Sequence, residues 1–425
     1  MQIISLEVKN YKSLNDFSSN AFEFKTVNLI HGVNNSGKSN FLFFLHLIFQ
    51  RKSIANEIIY IDNGVSRRRR ETQEATSFWK GEIYDQPFIF SKDNRSNSIK
   101  YSVVVELEVS TLSIKEPLVA AGYIKAATTH IRLKINGEII SLNPLDSKFK
   151  LNEVLLDGSK IYSEDANGLS SFFETPAASK LKGDEGVFSG LINTLNDCTV
   201  FIDSNRAFRT EQFSFSQNQL TLSSSDRFKN WLYNLSLDSD SFEKYQKLVK
   251  FLDSFKVTET LAATVLKDNL KSFPFSKTKL SYSRFKDEIE VMLENDLGRY
   301  PLRNYGTGVQ QILYVLARIF DTDTSSKILL IEELELNLSI EYQDLLLDNL
   351  KLFTENAVLG QVFCTSHSDH LLRSDFEVFE VKINHEGASQ MKKSEYDEET
   401  KKVRRDMIPH VQAAGKEERK KAGLS

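Results

Sequence analysis

Four short segments, far apart in the chain, hold residues whose types and spacing can do chemistry. The first, Gly32-Val33-Asn34-Asn35-Ser36-Gly37-Lys38-Ser39, fits the phosphate-loop pattern G-x-x-x-x-G-K-[ST]. In such a loop, free backbone N–H groups and the positive end of the following helix converge on one anion. Lys38 would reach the β- and γ-phosphates of ATP and the Ser39 hydroxyl would ligate Mg²⁺, with Gly32, Asn34, Asn35, Ser36, Gly37 and Asn40 lining the nucleotide beside them. The second segment, Ile328-Leu329-Leu330-Ile331-Glu332-Glu333, is an aliphatic strand ending in two carboxylates. A phosphate-loop ATPase holds its metal through an acidic residue at such a tip. Glu332 takes the metal-side role and Glu333 polarises the attacking water.

The third segment, Tyr305-Gly306-Thr307-Gly308-Val309-Gln310-Gln311, sets two glycines at the start of an apolar-periodic helix, a second anion-binding turn. A chain with a complete phosphate loop has little need of another. Gly306, Thr307, Gly308 and Gln310 make sense if they meet the γ-phosphate held by a second copy, which predicts an ATP-dependent homodimer. The fourth, Val362-Phe363-Cys364-Thr365-Ser366-His367, is a strand ending in a histidine. Ligands of open α/β sheets bind at the carboxyl ends of strands. His367 there can hydrogen-bond the γ-phosphate and the attacking water, while His370 reads as a surface residue opening the next helix.

Elements must position these groups. Thr26 to Ile30 reads as a buried strand entering the phosphate loop, and Asn40 to Leu45 as the helix leaving it. Residues 1–30 alternate in strand fashion through Ile3, Leu6, Val8 and Tyr11, then Phe22, Phe24 and Val27. Ile99, Tyr101, Val103, Val105, Leu107 and Val109 alternate with polar residues, predicting a half-solvated antiparallel strand. Ile131, Leu133 and Ile135 repeat the pattern into Asn136-Gly137, a two-residue hairpin signal returning through Ile139. The stretch 53–97 reads as polar and irregular, and its Arg67-Arg68-Arg69-Arg70 run, followed by Glu71 and Glu74, as a solvated loop. Residues 144–192 give no clear element. Phe242, Tyr245, Leu248, Val249, Leu252 and Phe255 recur at three and four, an amphipathic helix. The expected domains are therefore an ATPase lobe over 1–215, a helical insertion over 216–296, a second ATPase lobe over 297–390 and a charged tail over 391–425.

Composition bounds the rest. The 425 residues are 40% hydrophobic and 26% charged, ordinary for two or three globular domains. A net charge of −4 argues against wholesale coating of nucleic acid, leaving room for one basic face. The 30 phenylalanines read as core filling. Cys198 and Cys364 lie in apolar runs and have no metal-binding spacing, so buried free thiols in a reducing compartment are expected. The start lacks the layout of a signal peptide and no run of about 18 apolar residues occurs, so a cytoplasmic protein without a membrane partner is expected.

Together these segments resemble the ABC-type ATPase heads of the SMC, RecF and OLD (overcoming lysogenization defect) group. The opening strands and phosphate loop look like that group's Walker A region, and "YGTGVQQIL" like a degenerate signature. "ILLIEELELNLS" looks like Walker B and the following D-loop, and "FCTSHSDHLL" like the switch histidine. The resemblance implies an α/β, two-lobed head that sandwiches two ATP molecules with a second head, each Walker A facing the other's signature. Departures are Tyr305-Gly306 where Leu-Ser is usual, Glu332 where Asp is common, and Leu334 and Asn337 where OLD-like members carry Pro and His. Arg206 is the candidate for a further nucleotide-facing residue.

The stretch after His370 is too short for the Toprim nuclease domain of OLD proteins, and no HNH-type constellation is present. The chain is thus similar to stand-alone ATPase subunits of antiphage modules (Septu, PARIS and retron-associated ATPases). That similarity implies a homodimer or higher homo-oligomer gating a separate effector, a Toprim or HNH-type nuclease, with a phage trigger protein as a further partner. The alternative expectation is a DNA-binding repair or recombination ATPase of the RecF type.

Overall fold

The computed structural model describes residues 1–19, 21–49, 55–62, 65–72, 82–83, 98–112, 114–120, 122–141, 147–164, 170–172, 191, 194–195, 198–204, 279–285, 288–295, 298–301, 304, 306–320, 327–355, 359–373 and 375–394. The chain opens with strands β1 (Gln2–Tyr11), β2 (Leu14–Ser18) and β3 (Val27–His31), followed by helix α1 (Lys38–Phe49). Strands β4 (Ala55–Asp62), β5 (Val65–Thr72), β6 (Glu82–Ile83) and β7 (Ser98–Glu108) come next, then helix α2 (Lys115–Ala120). Strands β8 (His130–Ser141), β9 (Ser147–Leu156), β10 (Ser159–Glu164), β11 (Ser170–Phe172) and β12 (Thr199–Ile202) continue the chain. The next group is β13 (Lys279–Phe285), β14 (Glu288–Asn295), β15 (Gly298–Pro301) and helix α3 (Thr307–Phe320). The last elements are β16 (Ile328–Ile331), α4 (Ile340–Glu355), β17 (Gln361–Ser366), β18 (Glu377–Ile383) and β19 (Ser389–Lys393).

The chain divides into two compact units: residues 1–201, 326–332 and 350–425 form one, and 202–325 with 333–349 the other. The first unit is built on two large sheets, with the β4–β5 hairpin as a separate two-stranded one. One runs β11-β10-β9-β8-β7-β1-β2, with β6 on β9, and is antiparallel. The other runs β12-β16-β17-β3-β18-β19. Its centre, β16-β17-β3-β18, is parallel, and β19 closes on β18 as an antiparallel hairpin. The α/β expectation with an antiparallel layer therefore holds.

Helix α1 explains how the layers pack. It is apolar nearly all round, the pattern of a helix covered on both sides. Phe41 meets Phe363 of the parallel sheet at 5.9 Å and Phe24 at 5.7 Å between ring centroids. Phe44 meets Tyr11 and Tyr101 of the antiparallel sheet at 4.8 and 6.0 Å. Phe24, Phe363 and Phe379 stack edge to face around the same core. The phenylalanine content is core filling in this unit, and Cys198 and Cys364 are both buried and unbridged.

Gln361 ties the two sheets together. Its fully buried amide accepts from the Ile3 N–H (2.7 Å) and donates to the Ile3 carbonyl (2.9 Å) and the Lys25 carbonyl (2.7 Å). The register shift between Ile3 and Ser5 in the β1–β7 pairing leaves the Ile4 carbonyl to accept from Phe24 N–H instead. Replacing Gln361 by Leu would strand the buried N–H and carbonyl of Ile3, while the Lys25 carbonyl keeps the Asn28 side chain as donor, so Gln361→Leu should cost about 2–4 kcal/mol in a urea unfolding curve. A loss below roughly 1 kcal/mol would remove Gln361 as the sheet-to-sheet link.

Several expectations are corrected. Asn136-Gly137 makes no hairpin, since β8 runs through it and pairs with β7 along its whole length. Gly137 stands opposite Tyr101, and a Cβ there would lie 2.3 Å from the Tyr101 hydroxyl. The missing side chain seats the aromatic ring, a use of strand glycine that competes with turn formation. Residues 22–24 lie outside any strand, and β3 begins at Val27. The supposedly irregular stretch 53–97 contains the β4–β5 hairpin, and Arg67 to Arg70 sit on β5 opposite Tyr60, Ile59, Ile58 and Glu57. Runs of like charge do not prevent strand pairing when the partner strand is aliphatic. Residues 144–192, which showed no pattern, supply β9, β10 and β11.

The described residues of the expected helical insertion over 216–296 are strands, which corrects the helical reading for 279–285 and 288–295. In the second unit β13, β14 and β15 form a three-stranded antiparallel sheet. Leu280 and Tyr282, then Ile289, Val291 and Leu293, recur at period two, the strand period, although apolar Met292 interrupts the alternation. The helix expected over 242–255, Arg206 and the tail beyond Ser394 lie outside the described residues.

Candidate nucleotide site

Three strands of the parallel sheet end side by side: β16 at Ile331, β17 at Ser366 and β3 at His31. Register sets Ser366 beside His31 and Ile331 beside Cys364. Glu332, His367 and Gly32, each the next residue on, therefore gather along one carboxyl edge, where open α/β sheets bind ligands. Their separation in sequence is closed by strand order alone.

The phosphate loop connects β3 to α1. Asn35 (φ 63°) and Gly37 (φ 100°) both take left-handed backbone. Asn tolerates that region through its short polar side chain, and Gly through having none. Such turns orient successive N–H groups into an anion-binding concavity. Val33, Asn34, Asn35 and Ser39 are exposed, whereas Ser36, Gly37 and Lys38 are buried and Asn40 is half-buried.

Lys38 is only 5% exposed, yet its ammonium is fully engaged. It donates to the carbonyls of Gly32 (2.7 Å) and Val33 (2.8 Å) and lies 3.1 Å from His367 Nδ1. His367 Nδ1 is also 3.0 Å from the Gly32 carbonyl, so its tautomer decides whether it donates there or accepts from Lys38. The structure thus brings together Lys38 and His367, 329 residues apart in the chain. His31 joins the same edge, its Nε2 3.3 Å from an Asp369 carboxylate oxygen. His370 is half-buried in a three-residue 3₁₀ turn, Asp369–Leu371, where the expected helix does not form.

These residues fit a nucleotide phosphate. The Ser36 hydroxyl is buried with no hydrogen-bond partner, a donor suited to an anion's oxygen. Oxygen donors at the exposed Ser39 and the half-buried Glu332 suit a hard cation that keeps several waters. No cluster of three or more His, Cys, Asp or Glu converges among the described residues.

Glu333 belongs to the second unit and departs from ordinary backbone, with φ 47°. Left-handed backbone at a non-glycine, non-Asn residue costs about 1 kcal/mol or more, a strain common at functional positions. Its carbonyl accepts from Leu336 N–H in the turn that follows, and Leu334 is fully buried. Asn337 also has left-handed φ (56°), a conformation Asn accepts readily, which accounts for the residue found there.

In the same unit the glycine turn opens α3. A Cβ on Gly308 would come within 3.0 Å of the Asn337 carbonyl, so that glycine allows the helix start to press on the loop after Glu333. A Cβ on Gly306 would meet nothing within 4 Å among the described residues and Thr307 is exposed, while Gln310 is 8% exposed and Gln311 is 3% exposed. Sequence reasoning missed Ser13, Val381 and Ser389, which all approach the phosphate loop; no motif marks them.

The family model described as AAA ATPase domain matches residues 1–372. The chain belongs to this family. It is an ATP-binding ATPase. Among solved structures it is similar to an SMC head bound to the C-winged helix domain of ScpA, at 12% identity and TM-score 0.46, covering 94% of this chain and 100% of that one. It is also similar to the SMC head domain from Thermotoga maritima, at 12% identity and TM-score 0.42, covering 93% and 100%. A third is an Smc head with an extended coiled coil bound to the C-terminal domain of ScpA derived from Pyrococcus furiosus, at 12% identity and TM-score 0.42, covering 95% and 99%. A search of curated proteins finds no match. No described helix is long and apolar enough to cross a membrane.

His367 offers a direct check on the site of this ATPase. Its Nδ1 lies 3.1 Å from Lys38 Nζ and 3.0 Å from the Gly32 carbonyl, which ties the ring to the phosphate loop. His367→Ala should lower kcat roughly 10- to 100-fold with KM moved only a few-fold. A variant with parent kcat would reduce His367 to a structural residue.

Proposed function

We propose that this ATPase closes as a homodimer, or within a higher homo-oligomer, around ATP, and that closure gates a separate toxic effector in antiphage defence. Support comes chiefly from the turn at Gly306, where a side chain would meet nothing within 4 Å among the described residues and Thr307 beside it is exposed. An open anion-binding turn suits a γ-phosphate presented by a second copy. Gly306, Thr307 and Gly308 would face that phosphate, with Gln310 supporting the turn from its buried side. Ser39 and Glu332 would hold Mg²⁺, which neutralises phosphate charge when bound. Lys38 binds the β- and γ-phosphates, Glu333 polarises water, and His367 senses the γ-phosphate.

ATP shifts an open–closed equilibrium only as far as it binds the closed state better, and a composite site supplies that difference. Occupancy, more than flux, is the signal, so turnover is slow. The effector is a Toprim or HNH-type nuclease and a phage protein is the trigger. The deciding experiment is purification of tagged Glu333→Gln protein from its native host with ATP and Mg²⁺, with mass spectrometry of what accompanies it. A stoichiometric nuclease supports the gate. Salt-sensitive DNA with no protein partner would replace it by the second reading, a RecF-type repair ATPase. That reading draws on the four successive arginines of β5.

A further inference from the structure

We infer that the β18–β19 hairpin is part of the nucleotide site and that Ser389 is the residue that aims the phosphate loop. The hairpin lies beyond residues 1–372, which the family model matches, and carries none of the nucleotide motifs.

The hairpin is shaped by its own turn. The Asn384 side-chain oxygen accepts from the N–H groups of Glu386 and Ala388, and Gly387 takes φ 80°. This delivers Ser389, 3% exposed, to the loop. Its hydroxyl donates to the Ser36 carbonyl at 2.7 Å, and its N–H donates to the Ser13 carbonyl at 2.7 Å. Ser13 in turn accepts through its hydroxyl from the Asn40 side chain at 2.8 Å, on the first turn of α1.

The consequence follows from peptide geometry. In a planar trans peptide the C=O and the next N–H point in opposite directions. Fixing the Ser36 carbonyl on Ser389 therefore directs the Gly37 N–H the other way, away from the hairpin. Gly37 takes φ 100°, backbone open to glycine, whose freedom a fixed Ser36 carbonyl restricts. Both motif glycines are also packed by the hairpin. A Cβ on Gly37 would fall 2.0 Å from Ser389 Oγ and 2.6 Å from Ser13 Oγ, and one on Gly32 would fall 2.4 Å from the Val381 carbonyl. The pattern's glycines here admit β18 and β19 as well as a nucleotide.

Ser389 is thus a positioning residue: it acts on phosphate through the Gly37 N–H. This rests on the phosphate loop being the ATP site, and Lys38→Ala serves as the control for that premise. The test compares Ser389→Thr with its near-isostere Ser389→Val, and with Ser389→Ala, by titrating fluorescent ATP, ADP and AMP analogues and recording melting curves without nucleotide. The threonine variant should bind ATP and ADP within about two-fold of the parent. The valine and alanine variants should bind both roughly tenfold more weakly, with AMP little changed because the Gly37 N–H serves the outer phosphates. If Thr and Val behave alike, the hydroxyl does not aim the loop and the inference is overturned. Parent-like binding by the Ala variant, with Lys38→Ala binding lost, likewise overturns it and leaves the site intact. Retained binding in Lys38→Ala overturns the premise itself.

Discussion

Lys38→Ala is expected to weaken ATP binding by roughly 100- to 1,000-fold, the equivalent of about 3–4 kcal/mol of charge-assisted hydrogen bonding to phosphate. The ammonium is already buried in the loop, held by two carbonyls and neighboured by His367. ATP therefore meets a cation whose side chain is ordered beforehand, which lowers the entropic cost of binding. The same contacts mean that the alanine variant leaves the Gly32 and Val33 carbonyls without this donor, so the loop itself should loosen. Lys38→Arg should not rescue binding, because a planar fork cannot replace a compact ammonium seated on those carbonyls. Calorimetric titration with ATP decides the matter, and an affinity equal to the parent's would dismantle the assigned site.

Glu333→Gln should leave ATP binding near the parent value and reduce single-turnover hydrolysis by about a hundredfold or more. The substitution keeps the shape, exchanges one acceptor oxygen for an NH2 donor, and removes the basic oxygen expected to orient and deprotonate water. Because Glu333 already holds left-handed backbone, the amide replaces it without adding a new backbone demand. On the proposed dimer, blocked hydrolysis accumulates the closed form, visible as an ATP-dependent doubling of mass by light scattering. Turnover at the parent rate would remove Glu333 from the chemistry. Slow turnover with unchanged mass would keep the catalytic role and sink the composite site.

Much of the first unit was legible in the sequence because its signals are local. The β7 alternation from Ile99 to Leu107 emerges as a strand with one buried face, since period two leaves each side chain a single choice of side. Asn136-Gly137 misled because the same dipeptide that favours a turn also clears space for an aromatic ring across a strand, and only the opposite strand decides between them. The strands over 279–295 were passed over when the helical pattern of 242–255 was extended across the whole segment. The β5 arginines read as a loop because a run of like charge carries no strand signal, whereas pairing depends on the opposite strand, here Glu57 to Tyr60.

By itself, the sequence determined the chemistry: a phosphate loop, a carboxylate-ended strand, a glycine turn and a strand-end histidine are each encoded within a few consecutive residues. Tertiary structure alone decided who stands beside whom. Lys38 and His367 meet because β17 lies next to β3, an ordering no local pattern records. Ser389 reaches Ser36 because β19 folds back on β18 at the sheet's end, 353 residues away in the chain. Hydrogen-bonding types and dihedral preferences are properties of short segments and survive in the order of residues. Adjacency of strands is settled by the packing of whole layers around a shared core and is spread across the chain.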